Sequence, residues 1–126
     1  MGAHVVWDDM QVLSSGVSIA YDDTDYTSLN PREHNADLVL LQLEVVFPAA
    51  TDGDMVATFR ASLDDGDNPD VGTSVTTLTI TDVAESTQRG TVLLSSPYPY
   101  YQIEIDNADG SETFVYTIRY RYGRYV

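Results

Sequence analysis

Apolar and polar residues alternate along four separate stretches of this chain, and that two-residue period constrains its architecture more than any motif does. Between Ala36 and Phe47, the side chains of Val39, Leu41, Leu43, Val45 and Phe47 fall on one face and Gln42 and Glu44 on the other. Met55, Ala57, Phe59, Ala61 and Leu63 repeat the pattern against Val56, Thr58, Arg60 and Ser62. Tyr101, Ile103 and Ile105 do so against Gln102, Glu104 and Asp106. Phe114, Tyr116, Ile118, Tyr120 and Tyr122 follow against Val115, Thr117, Arg119 and Arg121. Successive side chains of a strand point to opposite faces, so each stretch predicts a half-buried strand. No window of a dozen residues places apolar groups at helical spacing behind a capping residue. Strand-like segments recurring between turn signals predict an all-β fold. The expected form is an antiparallel two-sheet sandwich, jelly-roll-like or Ig-like, with about seven to nine strands.

Local turn chemistry suggests how these strands join. Tyr98 to Val126 reads as the clearest β-hairpin, with Asp106-Asn107-Ala108-Asp109-Gly110 as its turn and Gly110 at positive φ. Ala36–Phe47 and Met55–Leu63 read as a second hairpin across Thr51-Asp52-Gly53-Asp54, Pro48 ending its first strand. Leu38 and Leu40 add apolar groups to the second face of Ala36–Phe47, which suits a central strand. Residues His4 to Ile19 predict short strands broken at Ser14-Ser15-Gly16, with Trp7, the one tryptophan, packing at a core or sheet edge. Tyr21 to Asn35 shows no alternation and predicts a long loop, usable as an arm against a neighbouring subunit. Thr73 to Asp82 predicts a threonine-rich strand, Val83 to Gly90 a polar connector, and Thr91 to Ser95 a short strand. Residues 1–126 are expected to form one domain, with 1–35 its less regular part.

Charge narrows the function. Twenty acidic residues face six basic ones, for a net charge of -14. Fifteen of the acids are Asp, and every basic residue is Arg. Such a field repels phosphate backbones, which argues against nucleic acid as a partner. An Asp-rich, lysine-free surface also suits a high-salt environment, where ions screen its self-repulsion. No run of 18 apolar residues suggests a membrane-spanning helix, and Met1–Asp9 has no signal-peptide pattern, so no membrane partner is expected. Cysteine is absent, which removes disulfides and thiolate chemistry.

Catalytic patterns are missing. There is no GxSxG and no phosphate-binding glycine loop, and His4 and His34 stand apart from any nucleophile. The expectation is a non-enzyme. Asp64, Asp65, Asp67 and Asp70 form a weak calcium candidate, because a hard cation favours carboxylate and carbonyl oxygens. Their spacing departs from an EF-hand loop, and a solvated connector is the plainer reading; no other metal or cofactor is expected. The C-terminal strand concentrates Tyr and Arg, residue types enriched at interface hot spots. Candidate interface residues are Tyr21, Tyr26 and Arg32 in the long loop, and Tyr120, Arg121, Tyr122, Arg124 and Tyr125 at the end. The plainer reading pairs Arg119 and Arg121 with Glu104 or Gln102 across the expected hairpin.

Taken in order, these features resemble the small β-sandwich virion proteins of tailed bacteriophages and archaeal tailed viruses. The likeness rests on the strand Leu38–Val45 and the loop Ser62-Leu63-Asp64-Asp65-Gly66. It continues through the approach Ser96-Pro97-Tyr98-Pro99-Tyr100, the turn Asn107–Gly110 and the Thr/Tyr/Arg-rich last strand. It spans Ala36 to Tyr122 and leaves out the N-terminal third. The resemblance implies a head decoration or cement protein on the capsid surface, contacting the major capsid protein and copies of itself as a homo-oligomer. The alternative is a carbohydrate-binding or adhesin-like module, with calcium as its candidate ion and Tyr98, Tyr100 and Tyr101 as stacking platforms.

Overall fold

Two antiparallel sheets face each other, and the alternating apolar faces meet between them. The structure, a computed structural model, describes residues 4–62, 73–95 and 100–126. Its nine strands among the described residues are β1 (Val5–Trp7), β2 (Gln11–Ile19), β3 (Thr24–Leu29), β4 (Leu38–Val46) and β5 (Met55–Ser62). They continue with β6 (Thr73–Ile80), β7 (Thr87–Ser95), β8 (Tyr100–Asn107) and β9 (Phe114–Tyr125). One sheet has the order β1-β9-β4-β7, with β2 also on β9, and the other has the order β3-β8-β5-β6. β1 and β2 lie end to end along the same strand, pairing Gly123–Tyr125 and Phe114–Tyr120 respectively.

The pairing identifies the fold as a jelly roll. β2 pairs β9, β3 pairs β8, β4 pairs β7 and β5 pairs β6, as if one long antiparallel ribbon had been wound up. The β4–β9 and β5–β8 ladders then close successive turns of that ribbon into sheets. This resolves the two expected sandwich types in favour of the double Greek key. It also corrects both predicted hairpins. β8 and β9 are consecutive but belong to opposite sheets, and so do β4 and β5. Turn-like sequences between them are arches over the core. A local signal of alternation plus turn residues cannot distinguish an arch from a hairpin, because both need the same φ/ψ menu.

The apolar faces are where the alternation puts them. Val39, Leu41, Leu43, Val45 and Phe47 are buried, as are Met55, Ala57, Phe59 and Ala61 of the facing sheet. Leu63 lies outside the described residues. β4 is a central strand, hydrogen-bonded to β9 on one side and β7 on the other, and its outward Leu38 is buried too. Phe47 and Phe114 meet edge to face at 4.8 Å, a favoured arrangement for aromatic quadrupoles. Gly90 leaves room for Ile80, whose Cδ1 would stand 2.6 Å from a side chain there.

Three local expectations change. Gly16 does not break the N-terminal strand but bulges it: φ is +57°, and β2 shifts register against β9 between Val12 and Ser14 and again between Ser14 and Val17, across Gly16. The expected Tyr21–Asn35 loop contains β3 and a 3-10 helix, Pro31–His34, whose Asn30 side chain caps it. β3 is polar because it is an edge strand with its outer face in water, so it carries no alternation to read. The expected connector Val83–Gly90 contains the first four residues of β7, again an exposed edge.

Candidate interaction surface

The roll sorts its charges by position. Four connections meet at the end where β2, β4, β6 and β8 finish: residues 20–23, 47–54, 81–86 and 108–113. Each carries two acids and no base: Asp22 and Asp23, Asp52 and Asp54, Asp82 and Glu85, Asp109 and Glu112. Several of these carboxylates act as acceptors for backbone N–H groups. Asp109 is fully buried and accepts from the N–H groups of Asp52 (2.7 Å), Ser111 (2.8 Å) and Glu112 (2.8 Å). Burial raises its pKa, but these hydrogen bonds outweigh that and hold it down at about 2. Asp52 accepts from Gly110 N–H at 3.0 Å, and Asp54 from Asp82 N–H at 3.0 Å. Buried Asn107 donates to the carbonyls of Ile19 (3.1 Å) and Glu112 (2.9 Å) and accepts from Asp109 N–H (2.9 Å). Gly110 is not at positive φ; the close approach falls at Gly53, where a Cβ would stand 2.5 Å from the Ala108 carbonyl oxygen.

The other end gathers cations around the chain termini. Arg124 reaches Asp8 at 2.6 Å and the His34 carbonyl at 2.5 Å. The bond from Arg124 holds the Asp8 carboxyl below its usual range. Val126 N–H donates to the His4 carbonyl at 3.0 Å, and Tyr125 N–H to Asp37 at 2.9 Å. The His34 and Tyr122 rings stack at 4.9 Å. Burial, with the neighbouring Tyr120, pushes the Tyr122 hydroxyl up to about 12. Trp7 packs flat against Gly123, where its ring atoms would stand 2.8 Å from a Cβ. Tyr116 spans the two sheets by donating to Asp25 of β3 at 2.8 Å, and burial followed by that bond raises its pKa.

The predicted interface residues therefore separate. Tyr122 is buried and Tyr120 is packed against the core, so neither is free to anchor a partner. Arg124 is an internal clamp. Tyr125 and Arg32 are exposed at the terminal end, Tyr21 at the acidic end, and Tyr26 on the outer side of β3, so these four form no single patch. Arg119 and Arg121 do not meet Glu104 or Gln102, which lie in the other sheet. Arg119 and Arg89 both pair with Glu44 of β4, at 3.0 and 2.9 Å, while Glu104 takes Arg60 at 3.6 Å. Burial raises the Glu44 carboxyl, but the two guanidinium bonds prevail and lower it. Tyr101 is 1% exposed with its hydroxyl on the Ser95 carbonyl, which removes it as a stacking platform. Tyr98 and the calcium candidates Asp64, Asp65, Asp67 and Asp70 lie outside the described residues.

Of the predicted set, Arg121 and Tyr120 both line a concavity, a feature with no signature in sequence. On the outer face of the β1-β9-β4-β7 sheet, a trough of about 170 Å³ is lined by Met10, Leu40, Gln42, Thr91, Arg119, Tyr120 and Arg121. Arg121 donates its Nε–H to the Asp8 carbonyl at 3.0 Å. Among the described residues no carboxylate pairs with its guanidinium, in contrast to Arg60, Arg89, Arg119 and Arg124. Met10 (58% exposed), Val12 and Leu93 form an apolar rim. Cationic and apolar groups open outward together here.

No protein-family model matches the chain, and no curated protein matches its sequence. Its fold is similar to that of several solved structures. One is a protein of the cowpea mosaic virus top component, a naturally occurring empty particle, with 13% identity and a TM-score of 0.55. That match covers 94% of this chain and 90% of the viral one. A protein of the disulfide-linked pili that form Bacillus endospore appendages matches at 13% identity over 97% and 90% of the two chains, with a TM-score of 0.48. The C-terminal carbohydrate-binding module of the laminarinase LamC from Zobellia galactanivorans matches at 12% identity over 94% and 98%, with a TM-score of 0.48. At these identities the likeness is one of fold alone, the jelly roll that the strand pairing shows.

Proposed function

We propose that this chain is a non-enzymatic structural protein of a virion, a jelly roll on the capsid surface that reinforces the shell through contacts with the major capsid protein and with its own copies. The observation that carries the reading is the end-to-end correspondence with a chain of the cowpea mosaic virus particle, 94% of one against 90% of the other. Fold likeness alone leaves many functions open. The placement of charge supplies the second support. A rigid body with two acids in each of four loops at one end, and its open arginine on a side face, is suited to oriented contacts in a shell. Reinforcement of this kind works by mass action, since bound subunits favour the assembled state. Salt tolerance of that assembly would fit the acidic composition, because screening shortens the reach of repulsion between copies to about 8 Å at physiological ionic strength.

Carbohydrate binding is the less favoured function, because one of its three proposed aromatic platforms is a core residue. The deciding experiment is co-sedimentation of the purified chain with shells built from the major capsid protein, run beside a glycan array. Saturable binding to shells with a silent array is expected. A chain that stays in the supernatant and is stabilised by a sugar would overturn the reading.

A further inference from the structure

The trough on the β1-β9-β4-β7 sheet has a complement elsewhere on the same molecule. Its chemistry is specific: an apolar floor and rim from Met10 and Leu40, and beside them a guanidinium, that of Arg121, with no carboxylate partner among the described residues. A matching ligand would present an apolar group next to an anion. The β6–β7 connection does so. Val83 is 48% exposed and Glu85 follows two residues later, also exposed.

That connection is held in place, although nothing about packing its own core demands that Val83 face water. Glu85 adopts φ +53°, a conformation unusual for a residue with a side chain. Its N–H donates to the Pro48 carbonyl at 2.9 Å, and Phe47 N–H donates to the Ser86 carbonyl at 2.8 Å. The Ser86 hydroxyl closes the loop on the Val83 carbonyl at 2.6 Å, and Asp54 accepts from Asp82 N–H at 3.0 Å. A loop fixed by four hydrogen bonds loses little freedom on binding, so more of the contact free energy survives as affinity.

We infer that the trough receives the β6–β7 loop of a second copy of this chain, with Val83 seated between Met10 and Leu40 and Glu85 paired to Arg121. This rests on the structural-subunit reading above and names one of its contacts. Loop and trough are different patches, so the contact is heterologous, and repetition builds rings or rows of copies. The trough is small, so an isolated pair is weak, while a shell holding many copies strengthens it through effective concentration. The net charge of -14 opposes approach at low salt, whereas the buried pair acts at short range. Association therefore rises as salt goes from about 10 mM to about 150 mM, where the screening length falls from about 30 Å to about 8 Å.

Charge reversal separates this contact from general stickiness. Sedimentation velocity at physiological salt should show concentration-dependent association of the wild type. R121E leaves the loop intact and E85R leaves the trough intact, so each alone should associate at least about tenfold more weakly, while their mixture recovers association as heterodimers. Recovery on mixing excludes misfolding as the cause of either loss. V83S, which leaves every charge in place, should weaken association without changing its salt dependence. Wild type that remains monomeric at all salt concentrations, reversals that associate like wild type, or a mixture that fails to recover would each overturn the contact. Shell co-sedimentation by a wild type that never self-associates would sink this contact and leave the virion reading standing. Self-association without shell binding would do the reverse.

Discussion

The two ends of the roll solve the same problem, closing a barrel-like stack of strands, with opposite chemistry. At the acidic end the side chains of Asp52, Asp54 and Asp109 accept hydrogen bonds from the backbone of neighbouring loops, and Asn107 from its own. At the terminal end a guanidinium does the tying, from Arg124 to Asp8 and to the carbonyl of His34. Backbone amides satisfy a carboxylate without adding a charge, so the first end stays strongly negative. The second end neutralises Asp8 with Arg124, and its Asp37 accepts a backbone N–H as well. A protein with 20 acids and six bases can be closed at both ends only because most of its acids need no cation. The first end is thus expected to fail with acid and the second to loosen with salt.

The largest effect is expected at Asp109. Replacing it with alanine leaves three partly buried backbone N–H donors without their acceptor. Each unsatisfied buried donor costs about 1–3 kcal/mol, so a loss of about 4 kcal/mol is expected after partial relaxation. Urea unfolding measures it, and a loss below about 1 kcal/mol would show that water or loop movement replaces the carboxylate. Gly53→Ala tests the same end through backbone contact. Its Cβ would stand 2.5, 2.6 and 2.7 Å from atoms of the Ala108–Asp109 peptide, none of which belongs to a yielding side chain. Overpacking of this kind costs about 2–3 kcal/mol.

Acid reads out the same carboxylate without mutation. The pKa of Asp109 is about 2 when folded, below its ordinary value when unfolded. A depressed folded pKa gives stability that is fully present above about pH 4 and is lost as pH falls towards 2, on the order of 2 kcal/mol in all. Chemical denaturation at pH 6, 4 and 2.5 should show that loss, and Asp109→Asn should flatten it. A variant with the wild-type acid slope would assign the dependence to other carboxylates.

What the sequence made legible follows from which forces act locally. The core faces of β4, β5, β8 and β9 could be read because alternation is imposed by a single buried face. Which strands pair could not, since β4 and β5 bury complementary faces whether they are joined as a hairpin or as an arch. Strand β3 and the first four residues of β7 leave no pattern in sequence, because an edge strand needs no apolar outer face. Arg121 was named for its residue type, but its open guanidinium depends on Glu44 choosing Arg89 and Arg119, which follows only from the β4 register. Tyr122 and Tyr101 fit a core face and an interface or platform alike in sequence, because tyrosine serves both equally well, and their burial decides for the core.

A smaller change separates the β2 bulge from both ends. Gly16 is at φ +57° with open space where a side chain would go, so alanine there costs only the left-handed backbone penalty, about 1 kcal/mol. A much larger loss would mean that its bond to the Thr117 hydroxyl, at 3.0 Å, depends on the same conformation.

The smallest effect, and the sharpest test of the contrast, is Arg124→Gln. Glutamine keeps a donor for the His34 carbonyl but removes the charge that faces Asp8. Exposed ion pairs add little to global stability and are screened by salt. The urea midpoint should therefore move little, while hydrogen exchange speeds up at Val5–Trp7 and Gly123–Tyr125, the short β1–β9 ladder that the pair holds. The wild type in molar salt should show the same local acceleration, and the acidic end should stay protected in both cases, because its carboxylates are held by uncharged backbone N–H groups. Equal acceleration at the two ends would mean that one cooperative unit spans the roll, and that the division between amide-tied and arginine-tied ends is chemical without being energetic.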